Sequence, residues 1–379
     1  MKKVYFLIFF LIIISCENTQ KNKIMPLVTI EKKAFGRTLD GVDIDQYILK
    51  NRNGMEISAI NYGGIITSWK AKDREGNYKD IVLGFNKLSE YEDGSPYFGA
   101  IIGRYGNRIA KGKFTLNEEN YILAVNNDEN HLHGGLKGFD KVVWDSKEVV
   151  HDSTASLVLS YVSNDMEEGY PGNLEVQVIY TLKNNDELSV KYKAVTDKTT
   201  IINLTQHSYF NLSADFNKNI LDHDILINAD SFLPVDSTLI PTGEIRNVGD
   251  TPFDFRRPKN VGDEISNSNK QLMIGNGYDH CWVLNNQNQG LRFVASAYDS
   301  GTGRLLEVFS DQPGIQFYSG NFLDGTLQSK IGGTYDFRSG FCLETQHYPN
   351  SPNEKSFPSV TLSSGEKYVT ETIFKFSSK

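Results

Sequence analysis

The feature that most constrains this chain is a succession of short segments in which apolar and polar residues alternate, separated by Gly, Asn and Asp. The clearest pair, 174–182 and 187–195, flanks the polar stretch 183–186 (KNND). Side chains two residues apart share one face of a β-strand, so this pattern predicts a β-hairpin. Similar segments occur at 156–162, 291–297, 305–310 and 314–318. We therefore predict an all-β fold, a large antiparallel sandwich.

Helical periodicity is scarce, and only 88–92 suggests a single turn of helix. The chain has no repeat of fixed period and no evident linker after Lys23. At 379 residues it is large for one domain, but all-β folds can be this long. We predict one domain over residues 25–379.

The N-terminus differs from the rest of the chain. Lys2 and Lys3 precede an apolar run at 4–14, which is too short to span a bilayer comfortably and fits the core of a signal peptide. The run ends in Ser15-Cys16, which resembles the lipobox of bacterial lipoproteins. An ordinary cleaved signal followed by a chance cysteine is the alternative.

On the lipobox interpretation, residues 1–15 are a lipoprotein-type signal peptide and Cys16 is lipidated. Residues 16–24 are then a flexible linker. The protein would lie in the bacterial cell envelope, periplasmic or membrane-anchored, with the lipid as its one attachment to the membrane.

Charge and motifs exclude several classes of function. A net charge of −8 without a Lys/Arg block argues against nucleic-acid binding and suits a neutral ligand. The sequence contains no Walker or Rossmann glycine loop, no Gly-x-Ser-x-Gly and no His-Glu-x-x-His. Nucleotide, hydride-transfer and serine-nucleophile chemistry therefore lack their usual motifs.

Cys281 and Cys342 lie in apolar, strand-like segments, so we predict buried free thiols, although a disulfide between them stays open. The chain has no C-x-x-C pair, which excludes a zinc or redox centre built on cysteine.

Two distant strand-like segments each contain one titratable side chain. His207 lies in 203–211 and shares a face with Tyr209, and Glu344 lies in 341–345. An imidazole and a carboxylate on rigid strands can place an acid and a base on either side of a small polar ligand.

Further polar candidates lie in glycine-rich turns. Asn107 and Arg108 follow a glycine, with a turn and surface ion pair as the alternative. His131 and His133 would share a strand face at a spacing that could bind a metal, but no third ligand is near, so we predict no metal site. We expect His133 to donate to a ligand hydroxyl or to cap the turn.

Asp279 lies at a predicted loop-to-strand junction, where ligand contacts are common. Gln316 and Tyr318 would share one strand face suited to sugar hydroxyls. Glu167 and Glu168 lie in a Gly/Pro loop, and we expect both to be solvated. The many other carboxylates leave glycoside hydrolysis open.

Taken in order, nine segments resemble motifs of the aldose 1-epimerase (galactose mutarotase) family. They extend over nearly the whole chain from about Val28 and are 103–112 (GRYGNRIAKG), 132–135 (LHGG), 138–141 (GFDK), 168–172 (EGYPG), 203–212 (NLTQHSYFNL), 233–236 (LPVD), 240–243 (IPTG), 316–322 (QFYSGNF) and 340–346 (GFCLETQ).

The resemblance implies a β-supersandwich that interconverts the α and β anomers of hexoses without a cofactor. It implies that Glu344 is the general base and His207 the general acid. The residues expected to hold the sugar are Asn107, Arg108, His133, Tyr209, Asp279 and Gln316. Gln206 departs from the asparagine expected before the histidine. We also expect a monomer or weak dimer and a bell-shaped pH profile that needs ionised Glu344 and charged His207.

Three alternatives remain open. The first is a non-catalytic carbohydrate-binding module on the cell surface, because fold does not fix function. The second is a glycoside hydrolase or lyase on a related sandwich. The third is epimerisation of hexose phosphates, which would need a basic cluster that the sequence motifs do not show.

Overall fold

The computed structural model describes residues 1–5 and 26–379. Cys16, most of the predicted signal peptide and the whole of the predicted linker lie outside the described residues. None of the described helices is long and apolar enough to cross a membrane.

The described chain consists mainly of strands, which confirms the all-β prediction. In chain order the strands are β1 (Val28–Arg37), β2 (Asp43–Asn51), β3 (Glu56–Ile60), β4 (Ile66–Lys72), β5 (Tyr78–Asp80), β6 (Ile101–Ile102), β7 (Arg108–Ile109), β8 (Lys113–Leu116), β9 (Glu119–Ile122), β10 (His131–Leu132), β11 (Asp145–Val150), β12 (Thr154–Ser163), β13 (Leu174–Lys183), β14 (Glu187–Thr196), β15 (Thr200–Ile201), β16 (Thr205–Gln206), β17 (His223–Ile227), β18 (Ser231–Leu233), β19 (Arg246–Asn247), β20 (Lys259–Asn260), β21 (Asp279–Val283), β22 (Arg292–Asp299), β23 (Arg304–Ser310), β24 (Gly314–Tyr318), β25 (Cys342–Gln346), β26 (Thr361–Leu362) and β27 (Lys367–Ser378).

The helices are short and lie in connections. They are α1 (Leu88–Glu92), α2 (Val261–Glu264) and α3 (Lys270–Gly275). The first of them is the single helical turn that the sequence predicts.

Three larger sheets form the architecture, and every pairing between the named strands is antiparallel. One sheet has nine strands in the order β11-β12-β13-β14-β27-β23-β22-β17-β20. The second has the order β1-β2-β3-β4-β5, and the third β19-β18-β21-β24-β25. The predicted hairpin is the β13–β14 pair, in which Leu174 lies opposite Thr196 and Leu182 opposite Leu188.

Trp69 shows how the sheets share a core. This fully buried β4 residue lies edge-on to Phe374 and Phe376 of β27, with ring centroids 5.8 and 5.2 Å away. It also contacts Phe210, whose ring centroid is 5.8 Å distant. Burial of these large side chains joins the first five-stranded sheet to the nine-stranded sheet and to the segment after β16.

Candidate active site

One face of the third sheet presents polar side chains in two neighbouring rows. In the first row, Asp279 of β21 lies opposite Tyr318 of β24, and Tyr318 lies opposite Cys342 of β25. In the second row, Gln316 of β24 lies opposite Glu344 of β25. Directly opposed residues of antiparallel strands share a face, so strand pairing alone brings these five side chains together. The shared face predicted for Gln316 and Tyr318 is confirmed.

Backbone hydrogen bonds hold His207 beside this sheet. The strand β16 ends at Gln206, yet the His207 amide donates to Ala100 O at 2.9 Å and its carbonyl accepts from Gly99 N at 3.0 Å. Three residues later, Phe210 and Phe341 exchange two backbone hydrogen bonds of 2.7 and 2.9 Å. This bridge joins the histidine segment to the residue that precedes β25. Two stretches far apart in sequence are thereby fixed side by side.

The imidazole of His207 and the carboxyl of Glu344 face each other in one cavity. His207 Nε2 lies 3.5 Å from Glu344 Oε1, and the two residues are 4% and 2% exposed. The cavity has a volume of about 480 Å³, which lies in the range of small-molecule sites. The other Glu344 oxygen, Oε2, has no partner among the described residues and is available to a ligand hydroxyl.

Burial sets the protonation of this pair. Desolvation lowers the pKa of His207 to about 4 and raises the pKa of Glu344 well above its ordinary value. Both shifts act toward the uncharged forms, a neutral imidazole and a protonated carboxyl, and against the carboxylate and imidazolium that we expected. The neutral pair and the charged pair contain the same number of protons. Transfer of one proton from Glu344 Oε1 to His207 Nε2 therefore converts the neutral pair into the charged pair.

His133 is held as a hydrogen-bond donor to the cavity. Its Nδ1 accepts from the Asn107 amide at 3.1 Å, and its own amide donates to Asn107 O at 3.1 Å. Burial lowers the pKa of His133 well below its ordinary value, so the ring is neutral and its proton is on Nε2.

The shared strand face predicted for His131 and His133 is wrong. His131 lies in β10 and is buried against Ala124 O and the hydroxyl of Tyr170, at 2.8 and 2.6 Å. His133 follows the strand in the left-handed region, with φ of 51°, and this reversal sends the two rings to different places.

The third ligand that the sequence lacked near His133 is supplied by distant residues. Donor atoms of His133, His207 and Glu344 lie within 4.8 Å of one another. A neutral His133 with an acceptor at Nδ1 presents Nε2–H, however, whereas a metal requires the lone pair of that nitrogen. This cluster is therefore suited to hydrogen bonding with a ligand and fits a metal ion poorly.

Arg108 and Asp279 form a buried, charge-balanced pair at the cavity wall. Arg108 NH1 lies 3.8 Å from Asp279 Oδ2, and Arg108 Nε donates to Asn127 Oδ1 at 2.9 Å. The amide of Gln316 donates to Asp279 Oδ1 at 2.7 Å. Gln316 thus lies behind Asp279 and does not itself line the cavity. Burial raises the pKa of Asp279, and the charge of Arg108 opposes this.

Tyr209 packs against the imidazole ring of His207. Its ring stacks on His207 with centroids 5.1 Å apart, and its hydroxyl donates to Pro96 O at 3.0 Å. The predicted shared side of His207 and Tyr209 is found, although the strand itself ends before them.

Tyr97 is a cavity residue that the sequence analysis missed. Its ring lies edge-on to His133 at 4.6 Å and 5.8 Å from the ring of His207. The backbone at Tyr97 has φ of 65°, a strained conformation for a bulky residue and one that is enriched at functional sites. Its only sequence signal is the Gly-Ser-Pro turn before it.

Glu168, which we expected to be solvated, is partly exposed and also makes hydrogen bonds that the sequence did not predict. Its two carboxylate oxygens accept from the amides of Leu136 and Lys137 at 2.9 and 3.0 Å. They hold the loop that follows His133. Glu167 likewise accepts from Tyr161 and Ser163, at 2.9 and 2.8 Å.

The two cysteines of the domain are buried free thiols, as predicted.

Comparison with known proteins agrees with this fold. The family model described as aldose 1-epimerase matches residues 45–375. Galactose mutarotase of Sus scrofa is 47% identical over 93% of this chain and 99% of that protein. Aldose 1-epimerase of Escherichia coli K12 is 34% identical over 89% and 96%. The crystal structure of galactose 1-epimerase from Lactobacillus acidophilus superimposes with a TM-score of 0.81 at 29% identity, over 93% of this chain and 99% of that one. The chain belongs to the aldose 1-epimerase family.

Proposed function

We propose that this protein is an aldose 1-epimerase that interconverts the α and β anomers of hexoses such as glucose and galactose. The observation that supports this most strongly is the pair of His207 Nε2 and Glu344 Oε1, 3.5 Å apart in one buried cavity. Anomers exchange by opening of the ring to the free aldehyde and closure on the other face. Opening requires a base at the C1 hydroxyl and an acid at the ring oxygen, which is what this pair can supply.

In the proposed reaction, the Glu344 carboxylate takes the proton of the C1 hydroxyl. The bond between C1 and the ring oxygen breaks, and His207 Nε2–H gives its proton to that oxygen. After rotation about C1–C2, the freed hydroxyl oxygen bonds to the other face of C1 and returns its proton to His207. The aldehyde oxygen takes the proton back from Glu344. Each positioned proton transfer contributes about 100- to 10,000-fold to the rate.

The reactive charge state arises from the neutral pair by proton transfer from Glu344 to His207. Its cost is lowered when sugar hydroxyls donate to Glu344 and the ring oxygen accepts from His207, because hydrogen bonds to the charged forms favour them. Arg108, whose charge lowers the pKa of Glu344, acts in the same direction. His133 Nε2–H donates to a sugar oxygen as negative charge develops.

We assign sugar binding to the polar groups around the pair. They are Asn107, Arg108, His133, Tyr209, Asp279 and Gln316, the last acting through Asp279. Arg108 is balanced by Asp279, and no lysine lines the cavity within the described chain. A dianionic phosphate would therefore lack a counter-charge, which disfavours hexose phosphates as substrates.

Polarimetry of freshly dissolved α-D-glucose and α-D-galactose tests the proposal. We expect the protein to speed the approach to the equilibrium rotation above the spontaneous rate. A carbohydrate-binding module would bind sugar and leave that rate unchanged. A hydrolase would release reducing ends from a polysaccharide and leave the monosaccharide rate unchanged. Either result would overturn the proposal.

We further propose that residues 1–15 are a lipoprotein-type signal peptide, that Cys16 is lipidated, and that the domain at 25–379 is tethered to a bacterial envelope. The support is the basic start, the apolar run at 4–14 and the Ser15-Cys16 ending. When the full chain is expressed in a bacterium with lipoprotein processing, it should incorporate labelled fatty acid and partition into detergent. Cys16→Ser should do neither. A wild-type protein without label would refute the anchor and leave the enzymatic proposal intact.

A further inference from the structure

The strand β25 supplies a partner to each nitrogen of the His207 ring. Glu344 Oε1 lies 3.5 Å from Nε2, and Cys342 Sγ lies 3.5 Å from Nδ1. Cys342 and Glu344 are two residues apart and therefore share one face of the strand. The imidazole lies across both side chains, so a single strand sets its position at both ends.

The position of the thiol is fixed by backbone pairing on both sides of Cys342. The residue lies opposite Tyr318 of β24, and the preceding Phe341 is bridged to Phe210 in the histidine segment. Cys342 is 0% exposed, and burial raises the pKa of its thiol well above the ordinary value. The sulfur is therefore a neutral thiol, which is a weak acceptor and a weak donor.

We propose that Cys342 is a positioning residue for the acid, in that its sulfur accepts the Nδ1 hydrogen of His207 and leaves Nε2 as the nitrogen that exchanges the catalytic proton. This inference rests on the proposed function. In both the neutral pair and the charged pair, Nδ1 keeps its hydrogen. In the neutral pair Nε2 accepts from the protonated Glu344, and in the charged pair it presents a proton to the substrate.

The chemical character of the Cys342 side chain affects the acidity of His207, and its position affects the orientation of the ring. A carboxylate at this position would stabilise the imidazolium and raise its pKa. A neutral thiol orients the ring and stabilises the imidazolium only weakly, so the imidazolium stays a strong acid. Such an acid suits the oxygen of a pyranose ring, which is a weak base.

Cys342 is the one side chain that contacts Nδ1 among the described residues, and the backbone of His207 itself also interacts with the ring. Within residues 26–379 no other side chain lies within hydrogen-bond distance of that nitrogen. The titratable and charged groups around the ring are Glu344 on β25, His133 in the loop after β10, Tyr97 before β6, Tyr209 after β16, and Arg108 and Asp279 at the cavity wall.

NMR of the wild-type enzyme tests the proposal without any change at Cys342. Protein labelled with ring-¹⁵N histidine reports which nitrogen of each ring is protonated, and His207→Asn identifies the His207 signals by their loss. At pH 7 we expect a neutral His207 with hydrogen on Nδ1 and a bare Nε2. The opposite tautomer, with Nδ1 bare, would overturn the proposal. This outcome does not depend on activity, so a failure of the proposed function in polarimetry remains distinguishable.

Kinetics supply the second arm. We expect Cys342→Ala to lower kcat about three- to tenfold, the effect of losing one modest hydrogen bond, with little change in KM. Loss of the weak acceptor disfavours the imidazolium, so the low-pH limb of the rate profile, which follows the pKa of His207, should move to lower pH. Cys342→Ser should recover most of the rate. Cys281→Ala is the matched control, because Cys281 is a buried free thiol in the next row of the same sheet. It should change neither kcat nor the pH profile. A wild-type profile in Cys342→Ala would refute the proposal.

Discussion

The buried imidazole of His207 and carboxyl of Glu344 act through the protons they share, so pH should control the rate from both sides. When the pH falls through about 4, His207 gains a proton while Glu344, whose pKa is raised, keeps its own, and the base is lost. When the pH rises through the raised pKa of Glu344, the pair loses a proton and the acid is lost. We predict a bell-shaped profile of kcat/KM, measured by polarimetry after subtraction of the spontaneous rate. A flat profile from pH 4 to 9 would contradict the assignment.

Tyr97 is the second residue-scale prediction. Its ring lies against His133 and near His207, and its hydroxyl has no hydrogen-bond partner among the described residues. We expect Tyr97→Phe to lower kcat/KM about threefold by loss of one hydrogen bond to the sugar. Tyr97→Ala should cost more, because the apolar wall is also lost. Tyr121→Phe is the control and should match wild type, because Tyr121 is a half-buried tyrosine outside the cavity whose hydroxyl donates to Glu119. Equal activity of all three variants would remove Tyr97 from the site.

Single residues were predictable where their chemistry shows in the sequence. His207 and Glu344 are titratable groups within apolar alternating runs, and the family motifs include both. Tyr97 lies outside the family motifs, and the motif that contains Cys342 does not reveal its proposed role, because both residues act through contacts with His207 that only the fold brings about. The pKa values of the pair also could not be predicted, because desolvation depends on the complete burial that only the fold provides.

At the scale of elements, the loop after β10 determines where His133 points. The carboxylate of Glu168 holds that loop through two backbone amides, at Leu136 and Lys137. Hydrogen bonds to an ionised acceptor are stronger than neutral ones, so their loss should let the loop move. We predict that Glu168→Ala lowers kcat/KM about three- to tenfold in initial-rate polarimetry. Glu175→Ala, at an exposed carboxylate on β13, is the control and should have no effect. Equal rates in the two variants would show that the hydrogen bonds of Glu168 to the loop do not affect catalysis.

Elements were predictable in proportion to how local they are. The hairpin of β13 and β14 is specified by alternation and a polar turn, and its bounds differ little from the prediction. The strands β6, β10 and β16 contain two residues each. Their pairing depends on partners distant in sequence, so no local sequence pattern predicts these strands. These short strands nevertheless position the histidines.

At the scale of the whole molecule, the described strands and the residues that line the cavity all lie within residues 26–379. The first strand begins at Val28, and the core residues around Trp69 all come from this region. We predict that a chain starting at residue 25 keeps the wild-type specific activity and melting temperature, compared by polarimetry and thermal unfolding. A truncated protein that unfolds at lower temperature or loses activity would show that the N-terminal stretch belongs to the domain.

The central claim is that Glu344 and His207 move the two protons of anomer exchange. Magnetisation-exchange NMR measures the rate between α- and β-glucose at equilibrium, and line broadening in the same sample reports sugar binding. We predict that Glu344→Gln, which keeps the side-chain shape, and His207→Asn, which keeps a polar side chain, each bind glucose while exchange falls about 100- to 10,000-fold. If either variant exchanges the anomers at the wild-type rate, that residue carries no proton and the account is contradicted.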